Sequence, residues 1–269
     1  MLHESLSGPW TLVISSICLF LGIVAIGFYL AGVARSSRNI RLRRWPLYRS
    51  LCWCTGVLLA AAVMSAPFMD AVHHDFRLHM AGHLMLGMAA PLLLALGAPA
   101  TLLLRSLRTD VAKKAARVLK SAVFSFYRHP VTASVLNIGG LWILYTTPLF
   151  GLMHMHPLLY LFVHAHVFLA GYLFTVSMIY MDPAPRPHSP LFRTAVFIPA
   201  LAAHGIVSKF IYAQPPDGIP PSEARQGAMI MYYGGDLVDL VIIILLFHAW
   251  YKSTAIRRVR KAEKKPVIH

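Results

Sequence analysis

Acidic residues are scarce in this chain. Ten Asp and Glu stand against 25 Lys and Arg in 269 residues, and the four types together make up only 13%. An ordinary soluble domain carries about 25% charged residues, so there is too little charge here to solvate a globular surface. Cysteine is scarcer still, and Cys18, Cys52 and Cys54 are too few for a disulfide framework. Cys52 and Cys54 are two apart, which on a helix puts them on nearly opposite sides. The pair is therefore a poor chelate and reads as small buried packing. The Walker, G-x-S-x-G, H-E-x-x-H and dinucleotide fingerprints are all missing, which argues against the common nucleotide-dependent and hydrolase classes. With no C-x-x-C-H run, any haem would have to be held without covalent attachment. No internal repeat is visible, so an inverted-repeat transporter is not suggested. The formal charge of +15 comes without an RRM, helix-turn-helix or zinc-finger pattern, so nucleic acid is not an expected partner.

What is abundant is apolar sequence, at 57% of residues. A helix crossing about 30 Å of hydrocarbon needs roughly 20 residues, and seven stretches qualify: 10–34, 51–69, 78–104, 131–151, 158–181, 194–213 and 227–251. The expected fold is an all-α integral membrane protein, a single-domain bundle of seven transmembrane helices followed by a basic tail, 252–269. The first run is longer than a signal-peptide core and lacks a basic flank before it, so it is expected to be retained as a span.

Charge gives an orientation. Six Arg lie between Arg35 and Arg49, and seven Lys or Arg between Arg105 and Arg128. Arg186 and Arg193 follow Asp182, and seven more Lys or Arg begin at Lys252. In a seven-span chain these four segments fall on one side. The other side holds Arg77 and Arg225 with Glu4, Asp70, Asp75, Asp217 and Glu223. The positive-inside rule then predicts an outer N-terminus and a cytoplasmic C-terminus. Within 105–128, Val111, Ala115, Val118, Leu119 and Ala122 recur at helical spacing between Lys113, Lys114, Arg117 and Lys120. The segment is either a short amphipathic helix on the anionic inner leaflet or a plain charged linker.

Four of the seven spans carry His, Asp or Lys side chains, which are costly in a bilayer and usually mark a site. His79-Met80-Ala81-Gly82-His83 opens the third span, His164-Ala165-His166 lies in the fifth, His204 and Lys209 in the sixth, and Asp236 with Asp239 in the seventh. Given the predicted orientation and 1.5 Å per residue, His83 lies roughly 7 Å below the outer boundary, His164 roughly 9 Å, His204 roughly 13 Å and the two Asp roughly 13–18 Å. His79 and His83 share a helix face, as do Asp236 and Asp239. His164 and His166 are about 200° apart, so one of them, and either could be the one, faces a common centre. Imidazole suits copper, zinc and iron, and thioether favours Cu(I). Met80, Met85, Met153, Met155, Met229 and Met231 lie near the same mouth, with packing as the plainer role for each. The expected metal set is His79, Met80, His83, His164, His166 and His204, with Asp236 and Asp239 orienting the imidazoles or pairing with Lys209. Gly234-Gly235 should let another helix approach closely. His73 and His74 read as a solvated loop that could recruit metal. His129, His188 and His248 read as interfacial, and His3 and His269 as terminal.

The stretch His79-Met80-Ala81-Gly82-His83-Leu84-Met85-Leu86, with Ala90-Pro91 and Leu96-Gly97-Ala98-Pro99 after it, resembles the CtaG-like family of bacterial cytochrome c oxidase assembly factors. His164 and His166 before Gly171-Tyr172-Leu173-Phe174 fit the same pattern in order, as do Asp182-Pro183-Ala184-Pro185, His204, Gln226-Gly227-Ala228 and Met231-Tyr232-Tyr233-Gly234-Gly235-Asp236. The likeness runs from about Pro67 to Tyr251. One departure is Arg225 before Gln226, where many members are expected to carry Asp. The resemblance implies a multi-pass protein of the bacterial inner membrane, not an enzyme, that helps form the copper site of a haem-copper oxidase subunit. Copper is then the expected cargo, and that subunit and the lipid bilayer the expected partners. A haem-binding redox protein and a copper or proton transporter are the alternatives.

Overall fold

The structure is a computed structural model describing residues 9–40, 42–184 and 187–263, with side chains as far as residue 254. His3, Glu4, Arg186 and His269 lie outside the described residues, as do the side chains of the basic residues from Arg257 onward. Every element described is helical. In chain order they are α1 (Pro9–Ser37), α2 (Leu47–Val63), α3 (Ala66–His74), α4 (Phe76–Leu84), a π-helical turn (Met85–Ala89), α5 (Ala90–Leu96), α6 (Pro99–Ser106), α7 (Thr109–Leu119), α8 (Ala122–Tyr127), α9 (Pro130–Thr146), α10 (Leu149–Met155), α11 (Pro157–Met178), α12 (Pro190–Ala213) and α13 (Pro221–Glu263). Proline at the first helical positions of α6, α9, α11 and α12 starts each one where a missing N–H is harmless.

Five continuous stretches are long and apolar enough to cross a membrane: Pro9–Ser37, Phe76–Ser106, Pro157–Met178, Pro190–Ala213 and Pro221–Thr254. Two bent pairs bring the number to seven if each is one span. The second and fourth of the seven stretches are these bent pairs. α2 and α3 meet at 54°, and α9 and α10 at 82°. The reasons are local. Pro67, at the start of α3, brings no N–H to continue α2. Thr147 precedes Pro148 and is extended (φ −126°, ψ 167°), the conformation that a following proline favours. The last helix is also longer than expected, running from Pro221 through the start of the basic tail to Glu263.

The helices alternate in direction, which separates a histidine end from a basic end. The histidine end holds α3, α10 and the 214–220 loop. The basic end holds α7, α8 and the 179–189 loop. α4 to α6 form the centre, with 56% of their apolar window buried against 17% for α1. α7 and α8 bury no residue and leave Val111, Val118, Val123 and Phe126 exposed.

The centre is fixed by one close crossing. Pro91 has no N–H to offer the Gly87 carbonyl four residues back. The chain answers with the π-helical turn, in which the Ala90 N–H reaches Met85 O. The Gly87 carbonyl oxygen then faces α11 at Gly171, where an added Cβ would collide with it. Small residues at such crossings let backbones touch and give a bilayer bundle its packing energy.

Candidate functional site

His83 lines two small cavities within the bundle. The first, nearer the histidine end, is bounded by His79, His83, Tyr145, Met153, Tyr160 and His164 among apolar side chains. Its volume is about 20 Å³, room for a single water-sized occupant.

Hydrogen bonds fix the rings around it. His164 Nδ1 lies 2.9 Å from the Tyr160 carbonyl, and His154 Nδ1 lies 2.8 Å from the Phe150 carbonyl. A carbonyl can only accept, so in each case Nδ1 carries the proton and Nε2 keeps a lone pair. This is the arrangement in which outer-shell carbonyls set a metal-ligating tautomer. His79 Nε2 stands 3.1 Å from the Tyr145 hydroxyl, which in turn donates to the Met80 sulfur at 3.8 Å. The His79 ring centre is 5.9 Å from His154 and 6.4 Å from His164, and His73 is 5.3 Å from His154.

The second cavity is about 10 Å³ and lies farther from the histidine end, between His83, Asn137, His204 and Asp239. Gly235 lies flush against the His204 ring: a Cβ there would sit 2.5 Å from its Cε1. Asp239 follows one turn later and so shares that face of α13. Gly234 faces Leu84 of α4 in the same way, so the two glycines do admit close neighbours.

The expected residues therefore divide. His79, His83 and His164 gather at the first cavity, and His204 and Asp239 meet His83 at the second. Met80 lines neither and instead packs toward Gly227 of α13, behind the Tyr145 hydroxyl. His166 does neither. Its Nε2 lies 3.2 Å from the Leu136 carbonyl, against Gly140 of α9. Asp236 is exposed, and no ion pair joins Lys209 to either Asp among the described residues. Lys209 instead sits over the Tyr232 ring, 5.4 Å from its centre. Of the methionines near the mouth, Met153 lines the first cavity, while Met155 and Met229 are exposed. Cys52 and Cys54 are free on an unbroken helix. Among the described residues, no three His, Cys, Asp or Glu side chains stand close enough to hold a metal as they are.

Tyr145, Tyr160 and Asn137 were not singled out from sequence. His73 was read there as a solvated loop, yet it is half-buried beside His154. One signal was present: Thr147-Pro148 marks the break that folds His154 over the bundle. At the basic end, Asp182 accepts from Ala100 N, Thr101 N and Thr101 Oγ1 at 3.1, 2.7 and 2.5 Å. It thereby caps α6 beyond Ala98, whose φ is +48°. Arg193, counted above only as topogenic charge, is buried and donates to Met178 O at the C-terminus of α11.

Comparison with known sequences adds three findings. The profile of the cytochrome c oxidase caa3 assembly factor family matches residues 27–253. An uncharacterised protein of Mycobacterium leprae is 29% identical over 265 residues, covering 90% of this chain and 40% of that protein. Uncharacterised proteins of Mycobacterium bovis and Mycobacterium tuberculosis are each 37% identical over 171 residues, covering 61% of this chain and 25% of theirs. The chain thus spans less than half the length of these curated relatives. No solved structure matches.

Proposed function

Because the chain belongs to the cytochrome c oxidase caa3 assembly factor family, we propose that it handles copper during assembly of a haem-copper oxidase in the bacterial inner membrane, without itself catalysing a reaction. Copper is cargo in this reading. It enters at the histidine end, which the charge distribution puts on the outer side. There it meets His79 and His164 beside Met153 and Met80, then His83 and His204, and passes to the oxidase subunit that carries the copper site.

One observation carries the reading. The Tyr160 carbonyl takes the Nδ1 proton of His164, leaving Nε2 as a lone-pair donor on a ring that lines a buried cavity. A lone pair held at a cavity lined mainly by apolar groups is a ready donor to a soft cation. Haem is a poorer fit, since a cavity of about 20 Å³ would have to open many-fold to admit a porphyrin.

The test is a Cu(I) titration of the purified protein against a bicinchoninate competitor, with a visible spectrum taken on the same sample. Copper retained by wild type and weakened at least tenfold by His164→Ala supports the reading. Wild type that holds no Cu(I), or a sample with a Soret band, overturns it. In cells, loss of the protein should lower the copper content of the oxidase without lowering its polypeptide in proportion.

A further inference from the structure

The stretch α4 to α6 ends at Ser106, and α9 begins at Pro130 at the same end of the bundle. Segment 107–129 is therefore tied to one membrane face at both its ends. α7 has 11 residues and α8 six, too few to cross about 30 Å of hydrocarbon. α7 has three distinct sides. At 3.6 residues per turn, Lys113, Lys114, Arg117 and Lys120 fall within an arc of about 120°. Leu119 points inward. It lines a cavity of about 60 Å³ with Tyr172, Val176 and Asp182, as do Phe124 of α8 and Arg128. Val111 and Val118, seven residues apart, share the third side, between the basic arc and the inward one. Val118 is 63% exposed. In α8, Val123 and Phe126 are three apart and share a face, and they are 68% and 61% exposed.

The charges on the basic arc are not neutralised within the chain. Among the described residues, Lys113, Lys114, Arg117 and Lys120 join no ion pair. Asp110, the one acid of α7, stands 3.7 Å from Arg108. We propose that α7 and α8 form a docking surface for anionic phospholipid, with Val111, Val118, Val123 and Phe126 in the acyl boundary and the four cations on headgroup phosphates. An exposed apolar stripe beside a basic one, on a helix fastened to a membrane face, suits this occupant. The apolar groups enter the boundary while the long Lys and Arg stems keep their charges at headgroup level. Cations without counter-ions favour an anionic headgroup over a zwitterionic one. Of the two readings that the sequence left open for this segment, the structure thus supports the interfacial helix. The surface lies at the end of the bundle opposite the histidine cavities, and it does not depend on the copper reading.

The experiment is hydrogen–deuterium exchange, read by mass spectrometry, on the full chain in nanodiscs of phosphatidylcholine alone or mixed with phosphatidylglycerol. Amides of 111–127 should exchange about tenfold more slowly in the anionic discs, while those of α4 exchange equally in both. Replacing Lys113, Lys114, Arg117 and Lys120 together by Gln should remove the difference. Val118→Asp with Phe126→Asp should speed exchange of the segment about threefold in the anionic discs. Unchanged exchange in α4 establishes that each variant is folded. Three results overturn the proposal: equal exchange of 111–127 in the two discs, a difference that survives the fourfold Gln variant, or slowing in phosphatidylcholine discs by added inorganic phosphate.

Discussion

The two ends of the bundle treat buried polar groups in opposite ways. At the basic end they are engaged. Asp182 accepts three hydrogen bonds. Tyr29 donates to Gly97 O and accepts from Trp45. Arg193 reaches Met178 O and lies over Tyr180, and Arg105 reaches Arg43 O and lies over Trp45, although the Nε of each arginine is left over. Toward the histidine end the same kinds of groups are aimed into cavities, and His83, His204 and Asp239 each leave an atom unpaired. Polar groups in a bilayer are costly in both places. Where partners are built in, the groups hold helices together; where partners are missing, they border cavities instead.

The comparison collapses altogether if the crossing that carries both ends is pried apart. Gly171→Ala puts a methyl group into the Gly87 carbonyl and should cost about 3 kcal/mol or more, seen as a large fall in Tm and aggregation on size exclusion. A sharper trial uses one substitution at two aspartates. Asp182→Asn should destabilise by about 1–3 kcal/mol, because an amide cannot accept as the carboxylate does from both N–H groups. Asp239→Asn in metal-free protein should leave stability unchanged or raise it by about 1 kcal/mol, since it removes an unpaired carboxylate. Equal losses in thermal unfolding would end the distinction between the two ends.

The smallest effect is a pH dependence at the basic end. His188 lies 4.7 Å from His129 and 5.3 Å from Phe192, ring to ring. Burial, and then the neighbouring His129, hold its pKa below the ordinary histidine value. The unfolded chain therefore takes up the proton first as pH falls. The contribution of His188 is complete above the ordinary histidine range and shrinks below it. Tm should fall slightly between about pH 7.5 and pH 5.5, and His188→Phe should remove that part of the slope.

Much of this was legible in the chain. Apolar run length gave the helices, and the spacing of His79 with His83 put both on one face. The depth of His204 and Asp239 brought them to His83. What escaped was anything that depends on a bend. Hydropathy is blind to direction, so 131–151 reads as one straight span although Pro148 turns its end through 82°. The placement of His154 over the bundle was out of view for that reason, and so was the burial of His73 beside it. The choice between His164 and His166 needed the Leu136 carbonyl, which lies 30 residues away in sequence. Asp182 reads as the stop of a helix, and only the fold shows it starting another.

The contact between Gly87 and Gly171 has one more consequence. Two helices that touch backbone to backbone have no side-chain cushion along which to slide, so the middle of the bundle behaves as a fulcrum. α3 and α10 join their parent helices through two-residue breaks and carry His73 and His154 toward each other. They lie as short caps across the rim of that frame, set off from it by bends of 54° and 82°.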